Sequence, residues 1–244
     1  MQKIKQAIIE ANIEVYRYIK ESLTIDDFDF TGVRGAGGDC SSVIDLKAEE
    51  IFIKHLLKFA DINTEERGFV NSSSVDKEGL FIIDPIDGSD NFLSNHPYYG
   101  SCVAYVVKNN IKLAVITNFN NANCMIFDGL NKESISLENK TKIKNIDIKN
   151  PQIGIFERSY AFPKLCQALY KEDVKYRSPG AIALSLANAH NYKFVLFGGD
   201  KRDFDIKAGL FFAKDLYSYE DDEFLLVAKD FVNFQKIKEI IKEF

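Results

Sequence analysis

The sequence predicts an α+β protein, and three observations carry that prediction. Apolar residues recur at helical spacing at the start of the chain and again near its end. Two strand-like runs, 100–107 and 111–119, meet at Asn109-Asn110, a tight hairpin turn that demands antiparallel pairing. Beyond residue 150 short strands and helices alternate. Interleaved helices with an antiparallel hairpin indicate α+β layers and not a doubly wound parallel sheet.

Each element has its own reason. Ile4, Ala7, Ile8, Ala11, Val15, Tyr18 and Ile19 make one face of a first amphipathic helix. A Gly-rich loop follows over 32–39. Ser42-Val43-Ile44-Asp45 reads as a capping box opening a second helix, with Ile51, Phe52, Leu56 and Phe59 on one face. A short apolar step then leads to Asn63-Thr64-Glu65-Glu66-Arg67-Gly68. Phe81-Ile82-Ile83 is a strand covered on both faces, and Pro85, with no N–H and a fixed φ, ends its pairing and starts a turn. After the hairpin, 122–127 adds a strand, and the Lys/Asn-rich stretch 139–150 is an exposed boundary. The order beyond is strand 153–156, helix 162–170, helix 179–190, strand 194–197, helix 204–214, strand 224–227 and a C-terminal helix to Phe244. The aromatics at 210–220 read as core. No internal repeat is visible.

Chemistry concentrates in Asp84-Pro85-Ile86-Asp87-Gly88-Ser89. Three residues of turn bring Asp87 back beside Asp84, and two carboxylates so close repel unless a cation lies between them; a hard divalent ion with oxygen ligands suits. Gly88 allows close approach to the backbone, Ser89 caps the short segment after it, and orphan N–H groups there suit a phosphate. Pro-x-Asp-Gly is also ordinary turn chemistry. Two further acidic clusters turn the balance: Glu65-Glu66 upstream, and Asp203-Phe204-Asp205-Ile206-Lys207-Ala208-Gly209 downstream.

At these three clusters the chain resembles the inositol monophosphatase family, within the superfamily that includes fructose-1,6-bisphosphatases. Weaker similarity runs from Asp39 to about Val227. The resemblance implies a layered α/β/α/β/α sandwich. Its metal-binding half, 1–140, would hold a mixed, largely antiparallel sheet, and 141–244 a smaller α/β substrate-side half, in one continuous unit with the site at the junction. It implies Glu65, Asp84, Asp87, Asp205 and the Ile86 carbonyl as ligands for two or three Mg²⁺ ions, and lithium sensitivity. Glu65 with the Ser89 hydroxyl would position the attacking water, with Asp39 and Ser42 near it; Ser42 explains itself equally as an N-cap. Asp203 could cap its helix as well as Asp205. Gly88, Ser89, Ser178, Gly180 and Ala181 would face substrate, although the 177–181 turn also reads as a plain helix start with Pro near N1.

Departures from the family bear on substrate. Phe204 stands where Trp is usual, Ser89 where Thr is more frequent, and Arg34 where Lys is common. Gly198, seven residues before Asp205, replaces the acid of inositol-selective members. Lys201 and Arg202 add two cations, suited to a second phosphate or to a solvated loop. The expected function is Mg²⁺-dependent phosphomonoester hydrolysis by metal-activated water, on a small phosphorylated polyol or sugar. The alternatives are a phosphatase for fructose-1,6-bisphosphate or 3′-phosphoadenosine-5′-phosphate, and a metal-binding regulatory protein that has lost turnover.

Composition limits the rest. The net charge of −5 offers no footprint for nucleic acid or anionic membrane. The charged amphipathic start is no signal peptide, and no apolar run reaches spanning length. Four scattered cysteines and three remote histidines, His96 among them, point to reduced thiols without zinc, hence to the cytoplasm. The expected partners are a small phosphorylated metabolite and a second copy of the chain, as a homodimer.

Overall fold

The computed structural model describes residues 1–74, 78–146 and 148–244. In chain order the first half holds α1 (Gln2–Glu21), the hairpin β1 (Phe30–Arg34) and β2 (Cys40–Ser42), α2 (Val43–Leu56), β3 (Asp61–Thr64), β4 (Gly68–Val70), β5 (Leu80–Asp87) and α3 (Ser89–Leu93). It continues through β6 (Gly100–Val107), β7 (Asn110–Asn118), β8 (Asn123–Phe127), β9 (Lys132–Ser136) and β10 (Lys142–Ile143). The second half has β11 (Gly154–Glu157), α4 (Pro163–Lys171), β12 (Tyr176–Arg177) and α5 (Ile182–Ala187). Then come β13 (Val195–Gly198), α6 (Asp203–Phe212), β14 (Tyr217–Glu220), β15 (Phe224–Ala228) and α7 (Phe231–Ile241).

Two sheets stack between three helical layers. The first runs β10-β9-β8-β7-β6-β5-β3-β4, antiparallel except where β3 lies parallel to β5. The second runs β12-β11-β13-β15-β14, parallel only at β12-β11-β13. Period-two alternation sorts the first sheet's side chains. Phe81, Ile83, Val103, Tyr105 and Val115 pack with α1 and α2, while Ile82, Cys102, Ala104, Ala114 and Ile116 pack with α5 and α6. The other side of α5 and α6 meets Ile155, Val195, Phe197, Leu225 and Val227 of the second sheet. Its far face carries Phe156, Leu196 and Leu226 against α4 and α7. This is the α/β/α/β/α sandwich, and its central helices put both sheets' strand ends around one point. Among the described residues no helix is long and apolar enough to cross a membrane.

The details differ from expectation in physically clear ways. Pro85 does not end pairing: β5 runs on through a register shift, and Asp87 pairs with Gly100. A bulge absorbs the missing N–H. The hairpin turn falls on Lys108 and Asn109, both at positive φ (49° and 61°), because Val107 pairs with Asn110. The Gly-rich loop is flanked by β1 and β2 and hydrogen-bonds to the 65–66 turn through Ala36 and Gly37 N–H. The expected helix 179–190 begins only at Ile182, since Ser178 to Ala181 form a turn gripped from outside, and closes in a 3₁₀ turn at Ala189–Asn191. Stretch 139–150 includes the short strand β10; its Asp147 lies outside the described residues. Of the 210–220 aromatics, Phe212 is core but Tyr217 is 47% exposed.

Candidate metal centre

The end of β5 delivers Asp84 and Asp87, both buried, to the junction of the two halves. Asp84 Oδ1 accepts the Ile86 N–H at 2.9 Å, which closes the turn around Pro85. Asp87 Oδ2 accepts the Leu184 N–H of α5 at 3.0 Å, fixing the second half to the first. The turn after β3 brings Glu65, and the first turn of α6 brings Asp205. Glu65, Asp84 and Asp205 each offer a carboxylate oxygen, all within 4.8 Å of one another. Asp87 stands beside this trio, close enough for its charge to be felt by Asp84.

Burial and mutual repulsion push every one of these carboxyls upward. Asp84 and Asp87 sit well above the usual carboxylate range, mainly through desolvation. Burial lifts Glu65 to about 8, with Arg202 opposing, and Glu66 to about 7. Asp205 is raised by burial, against the guanidinium of Arg202. Without an ion these carboxyls favour their protonated forms, and a divalent ion with oxygen ligands would displace those protons, so the donor set fits Mg²⁺.

Arg202 sits in the middle of this cluster. Its Nε and Nη2 donate to the two oxygens of Asp205 at 2.8 and 3.1 Å. Nη2 also lies 2.9 Å from Glu65 Oε1, while Nη1 donates to the Gly37 carbonyl and Asp39 Oδ2, both at 2.9 Å. Lys201, its neighbour, turns away and donates to the Asp222 carbonyl.

Sequence reasoning saw Asp45 only as a helix cap. The capping box exists, with Ser42 N–H and hydroxyl both donating to Asp45 Oδ2. The other oxygen, Oδ1, accepts the Ser89 hydroxyl at 2.8 Å, and the Ile86 carbonyl lies 2.9 Å from that hydroxyl. Gly88, at φ 90°, is the cap of α3, not Ser89. A carboxylate draws the Ser89 hydroxyl away from the helix end. Ser42 reaches the site only through Asp45.

One cavity of about 830 Å³ gathers these groups. Asp39, Asp45, Glu65, Asp84, Ile86, Asp87, Gly88 and Ser89 line it, together with Ser178, Gly180, Arg202 and Asp205. Ala181 lies behind Gly88, where a β-carbon on the glycine would meet it at 3.2 Å. The buried Glu157, which carried no earlier signal, accepts the Gly180 N–H at 2.7 Å and the Ser185 hydroxyl at 2.5 Å, and so grips the 178–181 turn. Gly198 is sterically required, since a β-carbon there would lie 2.4 Å from the Phe162 ring. An acid at that position has no room.

The fold and the cluster of acids describe a layered sandwich with a carboxylate-rich cavity at its centre, and the sequence comparison shows which family it belongs to. The model of the inositol monophosphatase family matches residues 1–210, and the chain belongs to that family. Among relatives, it is 27% identical over 152 residues to a fructose-1,6-bisphosphatase of Pyrococcus furiosus, a match covering 62% of this chain and 56% of that protein. It is 24% identical over 235 residues to a protein named Nus factor SuhB of Vibrio cholerae, covering 88% and 83%. The fold superposes on Leishmania major fructose-1,6-bisphosphatase with TM-score 0.78 at 13% identity, covering 98% of this chain and 93% of that one.

Proposed function

We propose that the protein is a Mg²⁺-dependent phosphomonoesterase that hydrolyses a small phosphorylated sugar or polyol by direct attack of water. The observation that carries this reading is the convergence of Glu65, Asp84 and Asp205 oxygens within 4.8 Å, in the cavity that also holds Asp87 and the Asp45–Ser89 pair. Glu65, Asp84, Asp87, Asp205 and the Ile86 carbonyl would hold two or three ions. Bound Mg²⁺ would supply Lewis-acid charge to the phosphoryl group and lower the pKa of a water.

The chain's own residues handle orientation and protons. The Ser89 hydroxyl, held by Asp45, can accept a proton from water while passing its own to Asp45 Oδ1. Burial raises the Asp45 carboxyl and makes it a better acceptor. Glu65, whose Oε1 lies 2.9 Å from Arg202 Nη2, would hold an ion and, with the Ser89 hydroxyl, position the attacking water. Asp87 is locked by the Leu184 N–H, and Gly180 by Glu157, so substrate meets a wall fixed from both halves.

Purified protein with Mg²⁺ is expected to release inorganic phosphate from a panel of sugar and polyol phosphates. Excess EDTA should abolish release, added Mg²⁺ should restore it, and lithium should inhibit it. Undiminished release in EDTA would overturn the metal-dependent reading. The Vibrio cholerae relative's name favours a second reading, a metal-binding regulatory protein without turnover. No phosphate release across the panel, together with a retained Mg²⁺-induced rise in melting temperature, would select it.

A further inference from the structure

We propose that Glu157 is a positioning residue for the hydrolytic site. Its buried carboxylate sets the start of α5, and through that helix it places both the 178–181 turn and the acid Asp87. The proposal goes beyond the phosphomonoesterase reading and rests on it.

The start of α5 has no cap of its own. Ala181 stands at the N-cap without a side-chain hydrogen bond, which leaves the N–H groups of the first turn to acceptors from outside the helix. Two carboxylates, one from each sheet, supply them. From the first sheet, Asp87 Oδ2 accepts the Leu184 N–H at 3.0 Å. From the second, Glu157 at the end of β11 accepts the Gly180 N–H at 2.7 Å through Oε2, and also the Ala181 N–H. One short helix hangs between the two acids, so a shift at Glu157 is passed to Asp87.

Ser185 fixes the roll of that helix. It lies one turn beyond Ala181, and its hydroxyl donates to Glu157 Oε1 at 2.5 Å. The same oxygen lies 3.1 Å from the Tyr98 hydroxyl. The first half closes the clamp on the turn. Asn91 Nδ2 donates to the Pro179 and Tyr98 carbonyls, both at 2.7 Å. Gly180 sits at φ 91°, and a β-carbon there would lie 3.0 Å from that Nδ2. The turn is thus held by a carbonyl from one half and by its N–H groups from the other, and Ser178 and Gly180 present it to the cavity.

Glu157 is 2% exposed, and among the described residues it has no ion-pair partner. The cost of burying the carboxyl is offset by three donors aimed at it from the turn, the cap and the helix. Two oxygens of one side chain therefore define the turn, the helix start and its roll together. The charge of Glu157 is also felt at Asp87, so two modes of action exist, reach and charge. The directed hydrogen bonds point to reach.

Two variants separate the modes. Glu157→Asp keeps the charge and draws it back from the turn by one methylene. Glu157→Gln keeps the reach and loses the charge. Its oxygen can accept the backbone N–H groups while its amide donates to Ser185, whose hydroxyl then turns to Tyr98. Three readouts are compared: KM for the best monophosphate of the panel, calorimetric titration with Mg²⁺ alone, and melting temperature. Glu157→Asp should raise KM and weaken Mg²⁺ binding, each by about tenfold, because small misplacements of positioning groups are felt strongly at the chemistry. Glu157→Gln should recover all but about threefold of both. A merely structural residue would lower the melting temperature of Glu157→Asp and leave KM and Mg²⁺ affinity within twofold of wild type, a result that would overturn the proposal. Losses in Glu157→Gln equal to or greater than those in Glu157→Asp would overturn it too, since charge would then govern. If wild-type protein releases no phosphate, the hydrolytic reading fails, and Mg²⁺ titration of the two variants still decides by the same criteria whether Glu157 places Asp87.

Discussion

Arg202 shows what one residue does to a cluster of acids. Its guanidinium ties Glu65, Asp205 and Asp39 together, a cation of the chain's own among groups that would otherwise repel. Removing one partner from a buried network leaves the others uncompensated, a loss of several kcal/mol when fully buried and about 1–3 kcal/mol here, where the arginine side chain is 29% exposed. Arg202→Ala is therefore expected to lower the melting temperature of the metal-free protein by about 2–10 °C. Added Mg²⁺ should recover more in this variant than in wild type, because more uncompensated charge awaits it. Equal Mg²⁺ shifts by differential scanning fluorimetry would contradict the role. Asp87→Asn separates ligation from folding. An amide oxygen can still accept the Leu184 N–H, and one negative charge is gone, so the metal-free variant should melt at or above wild type. Its turnover should fall by about 10²–10³, the effect of losing one preorganised electrostatic group. Wild-type rates would mean the site is misplaced. At this scale the sequence was informative where chemistry is local. Asp84, Ile86, Asp87 and Ser89 lie within six residues, so their convergence can be read from spacing and turn chemistry. Asp45 was visible only as a cap, because its second oxygen meets a hydroxyl 44 residues away. Lys201 and Arg202 looked alike in sequence and point in different directions, since their partners at 222, 39 and 65 are set by the fold alone.

Elements that were legible are those with a strong period or a cap. α1 and α2 follow their apolar spacing and the Ser42–Asp45 box, and β5, β6 and β7 follow their buried runs. The strands that went unseen are short, and β9, β10, β12 and β14 are also rich in polar residues, while β4 is only three residues long. They exist because a neighbour supplies hydrogen bonds, not because their side chains ask for a sheet. The end of β13 shows how packing between elements limits the site. Phe162, just before α4, fills the space over Gly198, so this wall cannot accept a side chain without moving the ring. Gly198→Ala is expected to cost about 1–3 kcal/mol as an overpacked core change. That corresponds to a fall of about 2–10 °C in melting temperature. Phe162→Leu in the same chain should recover part of the loss by freeing volume. A single variant that melts with wild type would show that Phe162 can yield, and would remove the steric reason for a glycine there.

Over the whole molecule, the two halves meet through the apolar packing of α5 and α6 on the first sheet and through polar contacts that also build the cavity. Asp87 accepts from Leu184, and Asn91 donates to the Pro179 carbonyl at 2.7 Å, so folding and site assembly are one event. That coupling makes the acidic cluster a stability device as well as a chemical one. Glu65, Glu66, Asp84, Asp87 and Asp205 all have folded-state pKa values above their ordinary ones, with burial the leading cause. A group of this kind binds its proton more tightly folded than unfolded. Its stabilising contribution is complete below the unfolded value, 4.5 for a glutamate, and is lost as pH rises through the folded value, about 7 for Glu66 and about 8 for Glu65. Metal-free protein should therefore melt at lower temperature as pH rises from about 5 to about 8. Mg²⁺ competes with those protons, so its effect runs the other way and should grow over the same interval. At 100-fold excess over its Kd the ion contributes about 2.7 kcal/mol, an upward shift of about 5–10 °C for a chain of this size. Melting curves at fixed Mg²⁺ and in EDTA, taken across this pH range, check both slopes. If the Mg²⁺ shift stays flat or shrinks as pH rises, the ion is not displacing protons from these carboxylates, and the ligand set must lie elsewhere in the chain.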